Sequence, residues 1–378
     1  MKVCHLVLTD SPYGAFRVAL NLAKAESKSI EVVLAANSDA LRFMEGSKLT
    51  TIELPISLAA GWPSGLGWLR FRRQAASSAR ALEAAIAKMS VDVVHVHLPN
   101  SYAIASSYRG PAPVLITVHG VFYETLLTRM LARFLNPFVF RNSFKLTVVN
   151  KNLLGYASGS ARVPADSVAY VPNGIDAEQI RSMAEAADQK GAVGGALGHK
   201  GQPEICFVGR LEKRKGPGLL LGAIRALRSQ YSDLRCVIVG DGPLREHLMG
   251  EARRMGIQGN IIFVGFQSNP YQFMKASDLV VTNLSKELEG VSLVHYEAAA
   301  LGKPVVTFFD PYKQEVFGDS MYFVREESES AVAKTLNDAL HDVQMNRAKV
   351  PSFDEDSLSW DRIAGRYIEL YRGLLSAP

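Results

Sequence analysis

Three cysteines stand among 378 residues, Cys4, Cys206 and Cys236, and no two of them form a Cys-x-x-Cys pair. An odd number of thiols, each inside an apolar run of β character, excludes a disulfide framework and argues against a structural zinc site. The pattern fits reduced core thiols in a cytosolic protein. No uncharged apolar run approaches the ~18 residues that a membrane span needs. The opening run, Met1 to Leu8, is short and soon interrupted by Asp10, which does not suit a signal peptide. A dinucleotide fingerprint is also missing. The loop after Leu8 has a single glycine, Gly14, and at Gly240-x-Gly242 the third position is Arg245. Both candidate sites fail the fingerprint, which argues against a nicotinamide dehydrogenase. No nucleic-acid motif is present, and the net charge of +5 is modest for such a partner.

What remains is a globular composition, 48% hydrophobic and 21% charged, over a length that suits two domains with buried cores. Short β-runs alternate with helical stretches. Strands are predicted at Val3–Leu8, Glu31–Ala35, Asp92–His97, Pro113–His119, Leu146–Val149 and Ser167–Val171, with helices such as Ala15–Lys28 and Arg70–Met89 between them. A glycine-rich loop is predicted over Gln189–Gln202. A second alternation follows, with strands at Glu204–Val208, Arg235–Val239, Asn260–Phe263, Leu279–Thr282, Val305–Thr307 and Ser320–Val324. Tandem βαβ patterns predict an α/β chain of two doubly wound, Rossmann-like domains facing a central cleft.

Several motifs carry chemistry. Glu289 and Glu297 lie eight positions apart, in Glu-Gly-Val-Ser-Leu-Val-His-Tyr-Glu. The first is placed on the loop entering a helix and the second about two turns in, so they are separated by roughly 12 Å along the element. That spacing suits a long polar ligand gripped at two points, with an anionic middle on the helix N-terminus. A surface helix with two solvated glutamates also fits. Gly209-Arg210-Leu211 through Lys215-Gly216 follows a predicted strand, and its planar guanidinium and compact ammonium suit a diphosphate. A solvated basic turn is the plain alternative. Val239-Gly240-Asp241-Gly242-Pro243 reads first as turn chemistry before a helix.

These motifs, with Phe263-Val264-Gly265-Phe266, Ala300-Leu301-Gly302-Lys303-Pro304-Val305-Val306 and Pro172-Asn173-Gly174-Ile175-Asp176, resemble the retaining glycosyltransferases of family 4 in order and separation. The resemblance runs from the first strand to about residue 310. It implies the GT-B fold, with residues 1–172 and the last helix, 360–378, in an acceptor-side domain and residues 173–359 in a donor-side domain. It implies that Gly209, Arg210 and Lys215 hold the donor diphosphate of a nucleotide sugar and stabilise the charge growing on it. Glu297 is implied to bind the ribose hydroxyls, and Glu289 the sugar. The amides of Gly290, Ser292 and Leu293 meet phosphate or sugar, and Gly14 approaches the donor from the first loop. His119 contacts the donor sugar from the first domain. Arg210, Lys215, Glu289 and His119 are therefore the catalytic candidates. The family needs no carboxylate nucleophile, no metal and no cofactor. His95 and His97 read as structural or rim residues.

Two departures from the family pattern stand out. The first loop, Ser11 to Arg17, carries Gly14 alone where the family has paired glycines, and Phe16 replaces a glutamate. Near Glu289 the usual Gly-Phe-Gly is Gly290-Val291-Ser292; Ser292 narrows the space but can cap the helix. The leading reading is transfer of a hexose-type sugar to a lipid-linked or glycan acceptor, in the assembly of cell-surface polysaccharide or glycolipid. A non-catalytic sugar-nucleotide binder and a sugar-nucleotide epimerase on the same fold are the alternatives. Residues 1–170 carry a balance of +8 and the remainder −3. Arginines and aromatics mix over Trp62–Arg73 and over Phe122–Lys145, which includes Arg129, Arg133 and Arg141. Such a surface suits the anionic inner face of the cytoplasmic membrane, as well as an ordinary solvated face.

Overall fold

The computed structural model describes residues 1–12, 14–44, 46–57, 66–120, 145–155, 157, 163–188, 202–287 and 290–376. Glu289, Arg129, Arg133, Arg141 and most of the predicted Gln189–Gln202 loop lie outside them. The chain divides into two compact units, Met1–Gly174 with Asp356–Pro378, and Ile175–Glu355.

The first unit is built on a parallel seven-stranded sheet of order β3-β2-β1-β4-β5-β6-β7. Its strands are β1 (Lys2–Val7), β2 (Glu31–Ala36), β3 (Thr50–Glu53), β4 (Val93–His97), β5 (Val114–Val118), β6 (Lys145–Val148) and β7 (Val168–Tyr170). The second unit has a parallel six-stranded sheet of order β10-β9-β8-β11-β12-β13. These are β8 (Glu204–Val208), β9 (Arg235–Val239), β10 (Ile261–Gly265), β11 (Leu279–Val281), β12 (Val305–Phe308) and β13 (Tyr322–Val324). Both sheets match the doubly wound prediction. The predicted set lacks β3, an edge strand whose Thr50, Thr51 and Glu53 are exposed. With a single half-buried apolar residue, Ile52, it shows almost no hydrophobic signal.

Strand sequences explain the burial. In β1, β4, β5, β8 and β9 nearly every residue is inside, as expected when helices cover both faces of a parallel sheet. The three thiols are core residues, and burial pushes those of Cys4 and Cys236 up to about 12. That suits packing and not nucleophilic chemistry.

The last helix, Trp360–Leu375, belongs to the first unit. Ser359 caps it by accepting from the Arg362 amide, and Asp361 in its first turn pairs with Lys28 at 2.6 Å. Ile363, Tyr367, Tyr371 and Leu374 recur at helical spacing and pack with Val3, Leu22, Val93 and Leu115. Each such burial is worth about 1.5–3 kcal/mol. The helix also enters a polar network. The Tyr371 hydroxyl donates to Glu26 Oε1 at 2.8 Å and lies 2.6 Å from His95 Nδ1, with all three side chains fully buried. Tyr371→Phe leaves a carboxylate oxygen without its donor and should cost about 1–3 kcal/mol. Thermal unfolding should show a fall in Tm of roughly 2–10 °C, with no loss of helix content by circular dichroism.

Candidate active site

In an open α/β sheet the ligand crevice lies beyond the carboxyl ends of the strands, where the strand order reverses. In the second unit that point falls between β8 and β11. The register sets Val281 beside Phe207 and Val208 beside Val239, so the segments leaving β8, β9 and β11 start level. Gly209-Arg210-Leu211 leaves β8. Its Gly209 amide donates to Val239 and its Leu211 amide to Asp241, which ties this loop to the one after β9. Gly240 (φ +145°) and Gly242 (φ +159°) permit the approach. A Cβ on Gly240 would strike the Gly209 carbonyl oxygen, and one on Gly242 would sit 2.6 Å from the Leu211 oxygen. The Val-Gly-Asp-Gly-Pro motif therefore supports the Arg210 loop from below.

That loop continues through a short 3₁₀ turn, Lys213–Lys215, to Gly216 (φ +68°) and the helix Pro217–Leu227. Gly216 is required twice over, by its left-handed backbone and by Leu284, 3.0 Å from where a Cβ would stand. Buried Glu212 holds Arg214, 2.6 Å away, and approaches Arg210 Nε at 3.6 Å. The Arg210 side chain remains 37% exposed. Lys215 Nζ donates to Asn283 Oδ1 at 2.9 Å, joining the loop after β8 to the end of β11. Arg210 and Lys215 thus share one loop at the sheet's reversal point.

Asn283 has no counterpart in the sequence predictions. It is 1% exposed, adopts φ +50°, and its Nδ2 has no hydrogen-bond partner among the described residues. A buried amide with two unmatched protons beside Lys215 is a group in want of an acceptor. Its backbone is held by Thr307 Oγ1 and the Phe308 amide, both donating to the Asn283 carbonyl. Thr307 Oγ1 in turn lies 3.1 Å from His295 Nε2 and 3.1 Å from Lys313 Nζ. Burial first, then the nearby Lys313 charge, holds His295 well below its usual range, so the ring is neutral.

Ser292 caps the helix Leu293–Ala300. Its amide donates to His295 Nδ1 at 3.0 Å, a reciprocal pair that fixes the first turn. Gly290 is left-handed (φ +53°) and buried. Glu297 lies on the same helix, 3% exposed, with Tyr271 donating to its Oε1 at 3.1 Å. The solvated-glutamate alternative therefore does not describe Glu297. Tyr271 also went unforeseen, since an aromatic at the start of a helix carries no distinctive pattern. The one Asp-x-Asp triplet, Asp354-Glu355-Asp356, stands near the C-terminus, and its Glu355 is engaged with Arg181 at 2.9 Å.

In the first unit the order reverses between β1 and β4. Gly14 opens the helix Gly14–Glu26, and a Cβ there would meet nothing within 4 Å. Phe16 is buried against Phe43, so the departure from the family's glutamate serves the core. His119 follows β5; its Nε2 lies 3.1 Å from His97 Nδ1, and its own Nδ1 is buried without a partner among the described residues. Burial lowers its pKa to about 4. His95 and His97 are completely buried, which makes them structural and excludes the rim.

Gly240→Ala should displace the Gly209 carbonyl and with it Arg210. We expect a folded protein whose affinity for nucleoside diphosphates, measured by calorimetry, falls at least about tenfold. Unchanged affinity would show that the loop after β9 does not hold Arg210 in place.

Comparisons with known proteins agree with this architecture. A family model described as Glycosyltransferase Family 4 matches residues 12–179, and one described as Glycosyl transferases group 1 matches residues 195–350. The chain is 28% identical over 169 residues to an N-acetylgalactosamine-N,N'-diacetylbacillosaminyl-diphospho-undecaprenol 4-alpha-N-acetylgalactosaminyltransferase of Campylobacter jejuni, covering 42% of this chain and 45% of that one. It is 24% identical over 192 residues to an alpha-monoglucosyldiacylglycerol synthase of Streptococcus pneumoniae, covering 50% and 42%. The chain thus spans less than half the length of these two curated relatives. The Anabaena protein HepE, crystallised with UDP-glucose, superposes with a TM-score of 0.79 at 18% identity, over 99% of this chain and 100% of that one. At that identity the likeness concerns the fold, which is GT-B. The two family models together take in both units, and the chain belongs to the family 4 glycosyltransferases.

Proposed function

We propose that the protein is a retaining glycosyltransferase that moves a hexose-type sugar from a nucleotide sugar to a lipid-linked or glycan acceptor. The observation that carries this is the Arg210–Lys215 loop at the reversal point of the second sheet, with Lys215 fixed by Asn283. Two cations on a loop pinned by glycine contacts suit a diphosphate and the charge that grows on it in the transition state. Gly290 and Leu293 bring backbone amides to the same end of the sheet, while the Gly209 and Ser292 amides, spent on Val239 and His295, shape the loop and the helix start around it. Glu297 takes the ribose, and Glu289 takes the sugar. His119 meets a sugar hydroxyl. The glycosidic C–O bond to the diphosphate breaks and a C–O bond to the acceptor oxygen forms on the same face of the sugar. The acceptor proton passes to the departing phosphate oxygen. The cations make a metal unnecessary, and no cofactor takes part.

The names of the two bacterial relatives include an undecaprenol diphosphate and a diacylglycerol, both lipids. This supports a lipid-linked acceptor in cell-envelope polysaccharide or glycolipid synthesis. Among the described residues no helix is long and apolar enough to cross a membrane. Arg70, Arg72 and Arg73 are exposed on the helix Leu66–Met89 while Phe71 is buried. We place the protein at the cytoplasmic face of the membrane, resting on anionic headgroups through this basic surface.

A thermal-shift panel of UDP-, GDP-, dTDP- and ADP-sugars should raise Tm with one nucleotide class by mass action. Transfer from that donor should proceed undiminished in EDTA and give a product with the donor's anomeric configuration by NMR. An inverted product, or no shift with any donor in folded protein, contradicts the proposal. Changing Arg70, Arg72 and Arg73 together to Glu should abolish sedimentation with phosphatidylglycerol vesicles; unchanged partitioning removes the membrane contact.

A further inference from the structure

A row of polar side chains crosses the core of the first unit without entering the chemistry above. Alternation along β1, β4 and β5 places Val3, Val93 and Leu115 on one face, against the last helix. Further toward the carboxyl ends, period 2 brings His5, His95, His97 and Thr117 to that same face. Glu26, the last residue of the first helix, is fully buried against them. The contacts form a continuous chain. Glu26 Oε2 lies 2.7 Å from His5 Nε2, His5 Nδ1 lies 2.9 Å from His97 Nε2, and His97 Nδ1 lies 3.1 Å from His119 Nε2. His119 Nδ1 ends the chain, buried and without a partner among the described residues.

Each link transmits a direction. An ionised carboxylate only accepts, so His5 donates from Nε2. A neutral His5 then accepts at Nδ1, which requires His97 to donate from Nε2. His97 accordingly accepts at Nδ1, and His119 must donate from Nε2. This ordering needs no cation inside the core. Burial holds His97 well below its usual range and His119 at about 4, so both rings are neutral near pH 7. The other oxygen of Glu26 accepts from Tyr371, and His95 Nδ1 lies 2.6 Å from that hydroxyl. Since Tyr371 spends its proton on Glu26, His95 must donate from Nδ1 and accept Thr117 at Nε2. The nitrogens of His5, His95 and His97 come close enough for a metal ion. All six of them already have hydrogen-bond partners, however, and the cluster is complete as a network.

We infer that Glu26, His5 and His97 are positioning residues for His119: they lock its ring with the proton on Nε2, leaving Nδ1 as a hydrogen-bond acceptor for a hydroxyl of the sugar substrate. The last clause rests on the proposed contact of His119 with the donor sugar. The first does not. The lock gives the site a fixed polarity, so a hydroxyl is accepted there and a group that can only accept is refused.

The test is ¹⁵N–¹H NMR of ¹⁵N-histidine-labelled protein at pH 7.5, with rings assigned by single His→Gln variants. The expected pattern is a proton on Nε2 of His5, His97 and His119 and on Nδ1 of His95. A proton on Nδ1 of His119, or a charged His5, overturns the lock. In Glu26→Gln the side-chain amide can donate to His5 Nε2, and an Nδ1-protonated population of His119 should appear. An unchanged His119 signal in that folded variant removes Glu26 from its role. If the variant does not fold, the wild-type pattern still decides. His119→Ala should lower affinity for the nucleotide sugar about tenfold while leaving that for the nucleoside diphosphate unchanged. Equal affinities in wild type and His119→Ala, with the tautomer pattern intact, contradict the sugar contact and leave the lock standing.

Discussion

Both units depend on one constraint, a parallel sheet whose chain starts in the middle and winds outward both ways. Parallel pairing puts every strand's carboxyl end on the same edge, and right-handed crossovers return the chain to the start of the next strand. At the reversal point two adjacent strands send their connections to opposite faces, which leaves the edge between them open. In the second unit β8 and β11 flank that opening, and their register brings Arg210, Lys215 and Asn283 into one layer. The glycines after β9 then act as spacers that hold the Arg210 loop at that height. Neither cation is positioned by its own strand alone. Each depends on a neighbour: Arg210 on the loop after β9, Lys215 on the end of β11.

Matched polar groups inside the two cores tie elements together. Glu26, His5, His95 and Tyr371 tie the last helix to the middle of the first sheet. Ser292, His295 and Thr307 do the same for the helix carrying Glu297. Among the described residues the unmatched groups include Asn283 Nδ2 and His119 Nδ1, one in each unit. An unmatched group inside a protein is costly, and a substrate that supplies its partner recovers that cost on binding.

Much of this was legible in the sequence. Apolar runs of β character alternating with helical stretches marked twelve of the thirteen strands among the described residues, and β3 escaped because an exposed edge carries little apolar pattern. The Gly209–Gly216 motif announced itself through residue types that a diphosphate needs. Asn283 did not, because an asparagine between strand and loop is common, and its meaning comes from Lys215, 68 positions away. The histidine chain was half visible. Alternation in Val93-Val94-His95-Val96-His97 and in Leu115-Ile116-Thr117-Val118-His119 predicts a shared face. That Glu26 and Tyr371 complete it follows only from how two helices far apart in sequence pack on that face.

The central claim is that the loop after β8, braced by Asn283, binds a nucleoside diphosphate at the reversal point of the second sheet. Calorimetric titration of the nucleoside diphosphate into wild type, Arg210→Ala, Lys215→Ala and Asn283→Ala tests it most directly. We predict measurable binding to wild type, weakened ten- to a hundredfold by either cation's removal and at least severalfold by loss of Asn283, on the scale of a charge-assisted hydrogen bond at about 1.5–3 kcal/mol. Equal affinity in all four folded proteins would contradict the account.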